Sequence, residues 1–144
     1  VKKDKKDRYK EEWNVALDTT SKDRNYLYGR LLAVADKVEY STYDEKDSGR
    51  ITNAKRYMSA FAQRPFETWE VIEKNIQSYM PKLKIAERIF YENLLHEIYH
   101  KFNIEKFEDN SKLNGLFLLG FHSQAYDLKL KKEKSEEKEE RSEE

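Results

Sequence analysis

The sequence predicts an all-α fold, a single bundle of about five helices followed by a charged tail. Three observations carry this. Glycine and proline are scarce, at four and two in 144 residues. No stretch alternates apolar and polar residues cleanly, as a half-buried strand would. Apolar residues instead recur with the 3.6-residue period of an amphipathic helix.

Residues 1–20 read as a polar N-terminal arm, with Trp13, Val15 and Leu17 as a docking point. The first helix spans about 23–40, with Leu27, Leu31, Val34, Ala35 and Val38 as its stripe and Ser21 or Asp23 as cap. Gly29 inside it costs about 1 kcal/mol relative to Ala and suits the close approach of a second helix. The segment STYDEKDSGR is a loop. A second helix spans about 52–63, with Ile51, Ala54, Met58 and Phe61 facing inward.

Pro65 opens a third helix, because its missing N–H costs nothing in a first turn. Phe66, Trp69, Ile72, Ile76 and Tyr79 are its apolar positions, and Pro81 marks the next break. A fourth helix runs to about Phe102, with Leu83, Ala86, Phe90 and Leu94 inward. The segment IEKFEDNS is a loop, and Asn110 or Ser111 caps a fifth helix. That helix contains LNGLFLLGF, apolar on more than one face, so it is central to the bundle or has a second partner through Leu118 and Leu119. The division is thus an arm at 1–20, a bundle at 21–130 and a low-complexity tail at 131–144. The tail has no apolar residue and stands outside any core, either as a helix extended by Glu–Lys pairs or as a disordered segment.

Composition narrows the function classes. At 38% hydrophobic and 39% charged, with no apolar run of about 18 residues, the chain is read as soluble, without a membrane partner. Cysteine is absent, which removes disulfides and thiolate chemistry. The start VKKDKKDRYK has no apolar stretch behind it, so the cytosol is the simplest compartment. Val1 follows a removed methionine or lies within a longer product. Net charge is zero, from 28 basic and 28 acidic residues, so local patches carry the electrostatics. Tyrosine, at ten residues, suits positions with one end buried and one wet.

One enzyme-like pattern occurs. His96-Glu97-Ile98-Tyr99-His100 matches H-E-x-x-H on an expected helix, which puts two imidazoles on one face for zinc with Glu97 as base. Its context argues against it. Asn103 and Lys106 stand where a metzincin needs Gly and His, and His122 or Glu108 as third ligand is unmarked. The expectation is therefore no cofactor, no metal and no catalysis. Residues 49–65 contain no acid and hold Arg50, Lys55, Arg56 and Arg64, with Asn53 and Gln63 nearby. A cationic helix face with amides beside it suits a phosphate backbone, and Lys74, Lys82, Lys84 and Arg88 are candidate extensions. An ordinary solvated face is the competing reading.

Three segments add a family resemblance: RNYLYGRLLAVADKVE at 24–39, ITNAKRYMSAFAQRPFETWEVI at 51–72 and LNGLFLLGFHSQAYDL at 113–128. In order and spacing they resemble the C-terminal helical region of the Csd1-type large subunit of type I-C CRISPR Cascade. In that family the same region is also made separately, by internal translation, as the small subunit, and this chain looks like that product. The resemblance implies a non-catalytic helical bundle within a crRNA-guided complex. Its partners would be the backbone and large subunits, a neighbouring copy of itself, and the displaced non-target DNA strand. It makes Arg50, Asn53, Lys55, Arg56 and Arg64 the expected nucleic-acid contacts, with Arg30 and Lys74 secondary and Tyr57 either core or stacking platform. A scaffold that meets protein or crRNA instead is the main alternative.

Overall fold

A computed structural model describes residues 15–143. Among them the chain forms seven α-helices and no strand: α1 (Arg24–Tyr40), α2 (Asn53–Arg56), α3 (Met58–Gln63), α4 (Pro65–Tyr79), α5 (Ile85–Lys101), α6 (Ile104–Glu108) and α7 (Leu116–Glu143). Short 3-10 turns stand at Glu45–Asp47 and Met80–Lys82. The all-α expectation holds.

Helix α1 is the axis of the bundle. It is buried all round, from Tyr26 through Ala35 and again at Val38 and Glu39. Asp23 is its cap, accepting from the backbone N–H of Asn25 and Tyr26 at 2.9 and 3.2 Å. Helix α7 lies along α1, and glycines set their separation. A Cβ on Gly29 would stand 2.1 Å from the Phe117 carbonyl oxygen, and one on Gly120 would stand 2.1 Å from that of Tyr26. The close approach read from Gly29 is therefore a two-sided crossing with Gly120.

The other helices cover α1 from its remaining sides. Phe61, Trp69, Ile72, Ile76, Met80, Leu95 and Ile98 join Leu27, Tyr28, Leu31 and Val34 in one core. Tyr28 is fully buried amid Phe61, Phe102 and Phe107, with ring centroids 5.0 to 5.7 Å apart. Its hydroxyl donates to the Phe107 carbonyl, and the Trp69 indole donates to the Tyr99 hydroxyl at 3.0 Å. Arg24 clamps the α6–α7 connection, donating to the carbonyls of Lys106, Asp109 and Ser111 at 3.0, 2.7 and 2.5 Å.

Several expected elements differ in detail. The helix expected over 52–63 is two short helices that meet at Tyr57, whose backbone leaves helical geometry. Ile51 points outward, 59% exposed, while Ala54 and Phe61 are buried. Arg64 sits at φ −141°, ψ 75°, because a residue before proline is pushed out of the helical region, and Pro65 then opens α4. On α5 the buried stripe is Tyr91, Leu94, Leu95 and Ile98; Ala86 and Phe90 are exposed. The expected loop at IEKFEDNS contains α6, with Asn103 as cap. Helix α7 begins later than expected, at Leu116, whose N–H is accepted by the Asn114 side chain at 2.9 Å. It then runs unbroken to Glu143, so the charged tail is a helical extension. From Lys131 onward that extension is about 20 Å long at 1.5 Å per residue. Trp13 lies outside the described residues; Val15 is exposed and Leu17 is partly buried.

Candidate nucleic-acid interface

Helix α2 is held by carboxylates of α1 beneath it. The Asn53 N–H donates to Glu39 Oε1 at 2.9 Å, and the Thr52 hydroxyl donates to Asp36. Glu39 is 3% exposed and also accepts the Tyr43 hydroxyl. These acids bind backbone and hydroxyl groups, so Lys55 and Arg56 remain directed outward, both exposed.

The other expected contacts divide. Arg50 lies 3.3 Å from Asp47 and Arg64 lies 3.5 Å from Glu67, both as surface pairs. Such pairs are weak, about 0–1 kcal/mol, and release readily to a phosphate. Asn53 is half-buried. Lys74 is exposed on α4, one turn beyond Glu70, so an acid stands beside it on that face. Tyr57 is 38% exposed, so it is not a core residue.

Arg30 departs from the expectation. It is fully buried between α1 and α7, where its Nε donates to Gln124 Oε1 at 2.8 Å. Burial lowers its pKa, with Glu97 the leading opposing charge. In this fold it is an internal residue, out of reach of a bound strand. The spacing LYGRLL hid this, because α1 is enclosed on every side from Tyr26 through Ala35, and Arg30 lies within that stretch.

The fold adds cations that sequence reasoning passed over. Lys37 of α1 is half-buried, and its pKa is lowered by burial and then by Lys132, with Lys55 and Lys129 adding and Asp36 opposing. His122 of α7 is lowered by burial and by Lys55. Lysines from α1, α2 and α7 thus share one positive neighbourhood. Lys129 and Lys132 are three apart, and so on one face of α7, but only the packing of α7 on α1 brings that face to α2.

His96, Glu97 and His100 are exposed on α5. Among the described residues no three His, Cys, Asp or Glu side chains are grouped to hold a metal ion. Nor is any described helix long and apolar enough to cross a membrane.

The described residues thus define an all-α bundle in which lysines of three helices lie near one another. The model of the family described as CRISPR-associated protein (Cas_Csd1) matches residues 1–129, and the chain belongs to that family. It is accordingly a CRISPR-associated protein of the Cascade type. No curated protein matches it.

Proposed function

We propose that this chain is the non-catalytic small subunit of a crRNA-guided type I-C Cascade complex, and that it stabilises the R-loop by contacting the displaced non-target strand. The observation that carries the reading is the outward pair Lys55 and Arg56, backed by Lys37, Lys129 and Lys132. A like-charge cluster is costly on its own and is relieved by a polyanion. Sequence is read in such a complex by guide pairing, and the protein supplies backbone contacts. Arg50, Asn53 and Arg64 border the cluster, Lys74 is a peripheral contact, and Arg30 is left out.

The test is the double charge reversal Lys55→Glu/Arg56→Glu in the assembled complex. The reading expects the R-loop to dissociate faster while helical content and assembly are unchanged. An unchanged R-loop lifetime would sink it.

The scaffold reading has one observation in its favour. Ile85 and Ile89, one turn apart, form an exposed apolar strip on α5, with Ile85 77% exposed. That strip suits protein contact. Loss of co-purification with the other subunits on Ile85→Asp/Ile89→Asp, with unaltered R-loop lifetime in Lys55→Glu/Arg56→Glu, would favour it over strand binding.

A further inference from the structure

A polar cavity of about 350 Å³ opens where the end of α1, the 3-10 turn Glu45–Asp47 and α7 meet. Its size lies within the range of roughly 300–1,000 Å³ typical of small-ligand sites. Tyr40, Arg50 and Lys132 line it together, although they are far apart in the chain. Tyr40 is 56% exposed, which leaves part of its ring open to a flat partner. Lys37 places its ammonium 5.4 Å from the Tyr40 ring, and Arg50 places its guanidinium 5.4 Å from the Tyr43 ring. The two rings lie 5.9 Å apart.

Acids are present too, but they are occupied. Asp44 Oδ1 accepts from the Lys46 N–H at 2.9 Å, and Asp47 Oδ2 from the Asp44 N–H at 3.2 Å, which closes the turn on itself. Asp47 Oδ1 holds Arg50 at 3.3 Å, an exposed pair that gives way to a stronger anion. Gly49, at φ 82°, takes the left-handed turn that returns the chain to Arg50. An exposed aromatic ring beside cations from three elements has the parts needed to grip one unit of a single strand, a flat base and its phosphate.

We propose that this cavity is a nucleotide subsite for single-stranded nucleic acid, with the base stacked on Tyr40 and the phosphate held between Arg50 and Lys132. It rests on the strand-binding reading above and extends the strand's path from α2 across the end of α1 to α7. Neither Tyr40 nor Lys132 belongs to the contact set that sequence reasoning chose.

The test uses the full chain and a fluorescein-labelled fifteen-residue oligothymidylate, read by anisotropy, with an iododeoxyuridine version for photo-crosslinking. Tyr40→Ala is expected to weaken binding about fivefold or more, the low end of a base–aromatic stack. Tyr40→Phe keeps the ring and is expected to stay within about twofold of the parent. Lys132→Glu is expected to weaken binding and flatten its salt dependence. The crosslink is expected at Tyr40. Equal losses in Tyr40→Phe and Tyr40→Ala would overturn the stacking assignment. So would no loss in Tyr40→Ala and Lys132→Glu while Lys55→Glu/Arg56→Glu abolishes binding, a result that leaves the strand-binding reading intact. Full displacement of the strand by equimolar thymidine monophosphate would overturn the strand assignment in favour of a free-nucleotide site. A parent chain that binds no oligonucleotide overturns this proposal, and the R-loop lifetime in the assembled complex still decides the broader reading.

Discussion

At Arg30 a guanidinium is held out of water with one hydrogen bond, to Gln124. Its two terminal nitrogens, the Gln124 amide nitrogen and the Ser123 hydroxyl are buried without a hydrogen-bond partner among the described residues. A charge placed so is costly, and removing its remaining partner costs more. Gln124→Leu is expected to destabilise the bundle by about 2–3 kcal/mol, seen as a lowered urea midpoint. Arg30→Met/Gln124→Leu together are expected to recover most of that loss, because apolar side chains of similar size replace the whole pair. Additive losses in the cycle would contradict this account of Arg30. His122 gives a second expectation. Its folded pKa lies below 6.5, so the neutral form contributes stability above about pH 6.5, and that contribution is lost as pH falls through the lower folded value. The His122→Gln variant is expected to close part of the gap in melting temperature between pH 8 and pH 5.

At the scale of elements, the α1–α7 crossing depends on two missing side chains. Gly29→Ala and Gly120→Ala each drive a Cβ into backbone, which cannot swing aside as a side chain can. Each is expected to cost about 3 kcal/mol, or roughly 10 °C in melting temperature for a domain of this size. Gly115→Ala, with nothing within 4 Å of its Cβ, serves as the neutral control. The extension of α7 makes the opposite expectation. Deleting residues 133–144 retains Leu128 and Lys132, and the residues described over 133–141 are all exposed, so the melting temperature should move by less than about 2 °C.

The same elements show what was legible in the sequence. Helix α1 and its Asp23 cap, Pro65 as the start of α4 and the Gly29 approach followed from local spacing. The stripe of α5 did not, because Leu83, Ala86, Phe90 and Leu94 fit a helical period as well as Tyr91, Leu94, Leu95 and Ile98 do. Only the neighbours of α5 decide between two apolar faces. The break at Tyr57 and the burial of Arg30 are likewise products of packing, and no propensity marks them.

For the whole molecule, zero net charge conceals an uneven surface. The lysines of α1, α2 and α7 gather at one junction, while the extension beyond them carries an acidic excess. Half of this site was legible. Lys55 and Arg56 stood out as part of an acid-free stretch, whereas Lys37 and Lys132 lay in stretches rich in acids and joined the site only through the fold. The central claim is that this junction holds a displaced strand, and the R-loop lifetime of the assembled complex tests it most directly. Lys55→Glu/Arg56→Glu should shorten that lifetime and lower its dependence on salt, by about 0.7 in log–log slope for each single-strand phosphate that the variant no longer neutralises. A lifetime and a salt slope equal to those of the parent complex, in a variant that folds and assembles normally, would contradict the account.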